Sequence, residues 1–442
     1  MKHFKRVILL FLIVLSINNV RADEGMWTIF NMDSTLVRKM KDIGLLLTSD
    51  QLYNENQASL KDAIMIFDNG CTAEVVSPNG LIFTNHHCGR DRVQQLSSNT
   101  NNYIRDGYWA NSRAEELPIK GLTVKFVIKT VDVTAQAVEL LKTKGIRKVS
   151  SEIEKQYNDS TLGYTASLDG FSSGQYYISI YQTFNDVRLV GVPPESIGNF
   201  GGETDNFEWP RQSADFCVFR IYADANNLPA SYSANNKPYQ PKFFLPISLA
   251  GVHENDFAMT IGFPGSTHRY INSSELKEEQ DIKNRATILT KGEFINVLKE
   301  EMDKDETIRL KYSNKNFSAG NSYKFALGTE KLVNLSPAMD NKLKQESEFQ
   351  AWIKTDSALQ KKYGKCFATI KKNYDLQHNP KYAHAILTGA LFGDASLFGM
   401  RARNIIDMLS EGDKDQIRKA AESYKQWHST FIKDYDVNTD KK

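Results

Sequence analysis

Apolar and polar positions follow two rhythms along this chain, and the change falls near residue 272. Before it, short runs rich in β-branched and aromatic residues alternate with Gly, Pro and Asn: CTAEVV, GLIFTN, GLTVKFVIKTVDVT, QYYISIYQTFNDVRLVGV, DFCVFRIY, KFFLPIS and DFAMTIGFPG. Runs of this length between turn signals predict the strands of a sandwich or barrel. SPNG before Leu81 predicts a hairpin turn, with Asn79 and Gly80 supplying the positive φ angles. KTKGIRKVSSEIEKQYNDS interrupts the strands as a helical or irregular excursion.

From Ser273 onward the period becomes helical, with Phe294, Leu298 and Met302 at i, i+4 and i+8 in a charged background. LSPAMD, QHNPKY and FGDASLFG interrupt it. A last helix around Ile417 to Tyr435 places Ile417, Tyr424, Trp427 and Phe431 on roughly one face, a stripe that needs something to pack on. A chain of 442 residues is long for one compact domain. The pattern therefore reads as mixed β and α, with a strand-rich domain over 23–272 and a helical domain over 273–442.

The first residues have a different purpose. MKHFKR is a basic start, VILLFLIVLSI an apolar run, and VRA ending at Ala22 a small-residue cleavage site, so 1–22 reads as a secretory leader. The apolar run is too short to anchor in a bilayer. The expectation is an exported protein, periplasmic or else cell-surface or secreted, with no membrane span once the leader is removed. The net charge of +2, with no arginine-rich tract and no C-x-x-C pattern, argues against nucleic acid. Nothing calls for a metal or an organic cofactor.

Export makes disulfides possible, and the four cysteines allow three pairings. Cys71 and Cys88 flank the expected hairpin and are the natural pair; Cys217 and Cys366 read as free, buried thiols. Between the first two lies GCTAEVVSPNGLIFTNHHCG, which sets His86 and His87 directly before Cys88. A general-base histidine must be held rigidly at a strand end with a carboxylate orienting its far nitrogen. A His-Cys pair tied back to the neighbouring strand does this, making His87 the base and turning His86 to a structural hydrogen bond. Asp215, entering the apolar run DFCVFRIY, is the orienting acid; Asp205 and Asp224 lie nearby but lead into no such run.

These motifs, with RDGYWANSRAEELPIKGLTVKFV, GGETDNFEWPRQSADFCVFRIYAD and AMTIGFPGSTHRY, resemble the bacterial dipeptidyl-peptidases of the dipeptidyl-peptidase 7 and dipeptidyl-peptidase 11 type. The resemblance runs over essentially the whole chain after Asp23. It implies a chymotrypsin-like β-barrel with a large inserted all-α domain, both incomplete here, and exported serine peptidases that release dipeptides from a free N-terminus. It also implies oligopeptide substrates and a homodimer. His87 and Asp215 match the catalytic His and Asp. Asn206 matches an asparagine that binds the substrate's terminal ammonium, beside Phe207 where the family usually has Trp. Phe207 and Trp209 read as wall. Gln212, Ser213 and Ala214 depart from the family's WPRHTGDF.

The resemblance also implies a serine in a GNSGSP-type segment, whose glycine supplies oxyanion-hole N–H groups. This chain has no such segment. Ser322 in SAGNSYKF is followed by Tyr323 instead of glycine, and Ser266 and Ser396 fail similarly. The expectation is a His–Asp pair without its nucleophile, in a chain truncated before the serine and inactive alone. The alternatives are a peptide-binding remnant and one half of a split enzyme.

Overall fold

The structure is a computed structural model. It describes residues 27–171, 174–265, 271–391, 403, 414–434 and 436–440; the leader 1–22, Ser266, Ser396 and the side chain of Phe431 lie outside them. The architecture is mixed, an antiparallel sheet followed by helices.

The strands are β1 (Ile64–Phe67), β2 (Cys71–Val75), β3 (Leu81–Thr84), β4 (Tyr108–Trp109), β5 (Leu117–Pro118) and β6 (Val124–Asp132). They continue with β7 (Tyr164–Gly170), β8 (Tyr176–Phe184), β9 (Asp186–Val192), β10 (Cys217–Ala223) and β11 (Lys237–Pro238). The chain divides into two compact units, each assembled from several segments.

One unit comprises 64–126, 182–241 and 262–442. Its strands run in the order β4-β9-β10-β3-β2-β1, all antiparallel, with the start of β6 beside β1. Alternate side chains bury against one another, Phe67 on Phe219 at 4.9 Å and Phe184 on Tyr239 at 4.5 Å, and Val75, Ile82, Leu189 and Ile221 are fully enclosed. Burying each such side chain contributes about 1.5–3 kcal/mol, which is why the apolar alternation survives as strands. The β2–β3 hairpin closes through Val76 N–H on the Leu81 carbonyl. Only Gly80 takes positive φ, at 64°. Asn79 does not, because four residues rather than two span the gap and the strain falls on a single position.

Helix starts again at Ser273, capped by the Asn272 side chain on the Glu275 N–H. Two long helices follow in this unit, α2 (Arg285–Met302) and α3 (Glu306–Leu335), the first label, α1, belonging to His86–Leu96. Asp305 caps α3 by accepting from the Thr307 and Ile308 N–H groups. Leu298, Met302 and Tyr312 are buried together with Phe294 and Ile308 against them, as the helical spacing of 294, 298 and 302 predicts. In Lys414–Asp434, Tyr424 packs on Trp427 at 5.8 Å.

The other unit comprises 1–63, 127–181 and 242–261. In it the excursion after Lys142 is a helix, Ile146–Tyr157, which buries Val149 and Ile153 with Val133, Ala137 and Ile178. Met40, Leu45, Leu52 and Leu60 form a second cluster that takes in Leu245, Phe257 and Ile261. KFFLPIS and DFAMTIGFPG carry no strand. Strand preference reflects packing on neighbouring strands more than the backbone alone, and here Ile247 and Leu249 are exposed, at 60% and 95%. Cys366 is likewise not buried: it opens the helix Cys366–Leu391 at a half-exposed position, whereas Cys217 is sealed in β10. No helix among the described residues is long and apolar enough to cross a membrane.

Candidate active site

Strand register brings His87 and Asp215 together across 128 positions. β3 pairs antiparallel with β10, with Thr84 opposite Cys217. Counting outward, Asp215 falls opposite the residues that follow Thr84. Those residues leave the strand through Asn85, in extended conformation, and enter α1 at His86. The first N–H groups of a helix have no partner inside it and favour a negative charge nearby. Asp215 fills that role: its Oδ1 accepts from the His87 backbone N–H at 3.0 Å, and its Oδ2 lies 2.8 Å from His87 Nδ1. Asn85 Nδ2 donates to the Asp215 backbone carbonyl and Oδ2, at 3.2 and 3.3 Å.

Burial alone would raise the Asp215 carboxyl, but the hydrogen bonds and charge of His87 outweigh it and hold it below the usual aspartate range. The Cys71–Cys88 disulfide, with its Cα atoms 6.1 Å apart, fastens the residue after His87 to the start of β2. The His87 side chain stays 45% exposed, so its ring is held on one side and open on the other.

His86 turns the opposite way. It is 1% exposed, and a Cβ on Gly198 would fall 2.3 Å from its ring, so only glycine fits there. Its Nε2 has no hydrogen-bond partner among the described residues, contrary to the structural bond expected from sequence. Burial, helped by the Arg90 charge, holds His86 below the ordinary imidazole value, so a neutral ring tolerates the apolar site better than a charged one. Beneath the same turn lies Cys217, whose Sγ would be 2.9 Å from a Cβ on Gly89.

Asn206 follows the short turn Gly202–Asp205 and is buried, 3% exposed. Its Nδ2 donates to Asn321 Oδ1 of α3 at 2.7 Å, and its Oδ1 accepts from Arg211 Nη1 at 3.2 Å. Arg211 Nη2 donates to Asn199 Oδ1 at 3.0 Å, completing a fork beneath the loop. Phe207 takes φ 56° and packs edge-on against Phe325 at 5.9 Å. Trp209 is 94% exposed and encloses nothing among the described residues. Ser322, next to Asn321, donates its hydroxyl to the Ser318 carbonyl at 3.3 Å.

The sequence reading missed α3 as part of this neighbourhood. Phe317 lies 6.4 Å from the His87 ring, centroid to centroid, and Asn314, Phe317 and Asn321 recur at i, i+3 and i+7. That spacing puts them on one helical face, a signal the sequence did contain.

The family model for peptidase S46 matches residues 22–442. The chain belongs to peptidase family S46. Among its S46 relatives, the dipeptidyl-peptidase 7 of Phocaeicola vulgatus is 39% identical over 100% of this chain and 63% of its own length. The Asp/Glu-specific dipeptidyl-peptidase of Porphyromonas gingivalis is 36% identical over 99% of this chain and 63% of its own. Among solved structures, Porphyromonas endodontalis DPP11 in complex with the dipeptide Arg-Glu superposes with TM-score 0.81 at 34% identity, covering 95% of this chain and 62% of that one. The chain thus spans about three fifths of the length of these S46 relatives.

Proposed function

We propose that this chain carries the base-and-acid half of a serine-type dipeptidyl-peptidase site, in a chymotrypsin-like barrel over 23–272 with a helical domain over 273–442, exported by the leader 1–22. The observation that carries it is the double contact of one carboxylate with His87, at ring and backbone. With Asp215 engaging Nδ1, the other ring nitrogen is left to face a reacting group. His87 Nε2 takes the proton of a serine hydroxyl, and the serine oxygen adds to the carbonyl of the substrate's second peptide bond. The tetrahedral adduct collapses as His87 returns that proton to the leaving amine, and water then frees the dipeptide from the serine ester by the same shuttle. The substrate's terminal ammonium is taken at the Asn206–Asn321 pair, whose amides are short and polar, Asn206 buried and Asn321 half-buried. Phe207 lies at its rim.

None of the candidate serines is followed by the glycine that the family motif carries, so the attacking serine is not assigned among these residues. The substrates are oligopeptides with a free N-terminus, in keeping with relatives that are dipeptidyl-peptidases. The test supplies the S46 serine-bearing segment in fusion or by co-expression and measures dipeptide release from a free and an N-acetylated oligopeptide. Release from the free peptide alone, lost in His87→Ala, is expected; no release, or equal release from the blocked peptide, overturns the proposal. The missing serine motif also favours a second reading, peptide binding without turnover, which the same fusion separates from the first by binding the free peptide without releasing a dipeptide.

A further inference from the structure

Arg90 is buried, 4% exposed, and stands one helical turn after His87 on α1. A buried guanidinium needs its donors satisfied, and these go in two directions. Nη1 reaches Glu195 Oε1, on the short turn Glu195–Gly198 that backs His86. Nε donates to Asn314 Oδ1 of α3 at 2.7 Å. The guanidinium face also covers the Phe317 ring, with Cζ 5.4 Å from its centroid, and that ring is the one beside His87. One turn further along α1, Gln94 Nε2 donates to the Leu310 carbonyl at 2.6 Å.

These contacts fix where α3 lies against the helix that bears His87. Because α3 is one uninterrupted helix through 306–335, fixing Asn314 and Phe317 also fixes Asn321, about 10 Å along the axis from Asn314 at 1.5 Å per residue. We infer that Arg90 is a positioning residue: through Asn314 and Phe317 it holds α3 so that Asn321 completes the Asn206 site at a set distance from His87. A planar fork makes this possible, since it pairs with Glu195, bonds Asn314 and stacks on Phe317 at once; an ammonium on a flexible stem keeps the charge but cannot satisfy all three.

The inference rests on the proposal that Asn206 and Asn321 receive the substrate's amine, so the test separates the two. Hydrogen exchange is followed along the 442-residue chain in Arg90→Lys, Asn314→Leu and the double variant, with binding of the dipeptide Arg-Glu and its N-acetylated form measured by calorimetry. In Arg90→Lys, amides of α3 from 314 to 321 are expected to exchange about tenfold faster while β3 and β10 keep their protection. Affinity for the free dipeptide should fall about tenfold, with the double variant no worse than the singles, as coupled residues behave. Unchanged α3 exchange and affinity overturn the inference, and so does loosening of β3 and β10 to the same degree as α3. If the parent chain binds neither dipeptide, the amine-site proposal fails, and the exchange pattern alone decides whether Arg90 holds α3.

Discussion

His87 and Asn206 lie in the same compact unit but are held by different means. Around His87 the constraints are redundant and of different kinds: a strand register, a disulfide, and a carboxylate that grips both ring and backbone. Around Asn206 they are side-chain contacts alone, Asn321 from the distant α3 and the Arg211 fork from its own loop. In the proposed function His87 holds a proton at a set angle and needs the first arrangement, because a small misplacement is costly in rate. The proposed ammonium site at Asn206 is served by the second, where an amide meets its partner only once the helix has docked.

Substitutions can break this contrast, and the largest effect is expected at Asp215. Asp215→Asn keeps the shape but permits the wrong ring tautomer, so dipeptide release by the serine-completed enzyme should drop about 10⁴-fold, with substrate affinity nearly unchanged. Next comes the covalent tie. Replacing Cys71 and Cys88 together with Ser removes a link across 17 positions and should cost about 2–4 kcal/mol in denaturant unfolding, the typical contribution of such a loop. On the other side, Asn321→Ala should weaken binding of a free-amine dipeptide by about 10- to 100-fold, the range for one hydrogen bond to a charged group, while leaving the N-acetylated peptide unaffected.

Acid should separate the two ends more gently. The Asp215 carboxyl titrates below its unfolded value because of His87. Its contribution to stability is therefore complete above about pH 4 and disappears as pH falls through the lower folded value. Thermal melts of the parent should show that acid limb, and those of Asp215→Asn should flatten it. Smallest of all is Ser322→Ala, expected to leave both binding and restored hydrolysis as they were. A large loss of hydrolysis there would return Ser322 to the list of nucleophiles.

Legibility in the sequence follows the same divide. Cys71, His87, Cys88 and Asp215 were readable because each constraint is local or belongs to a strand whose alternation marks it. β10 and β3 announce themselves as apolar runs, and their pairing puts Asp215 beside His87. Arg90, Asn314 and Asn321 were not readable as partners, since what joins them is the docking of a helix more than 200 positions away from α1. KFFLPIS and DFAMTIGFPG were misread for a related reason: their residue types suit a strand, but a ladder needs a partner that composition does not name. His86 was misjudged because a buried imidazole beside a glycine looks, in one dimension, like any polar strand end.

The thiol under the His87 turn has a consequence for the disulfide's lifetime. Exchange between a thiol and a disulfide proceeds only through the thiolate. Burial pushes the Cys217 thiol far up, and Gly89 packs directly over its sulfur. Cys217 is thus a nucleophile kept disarmed beneath the turn that carries His86 and His87. Any attack by Cys217 on the Cys71–Cys88 bond has to wait for the strand that carries Cys217 to open.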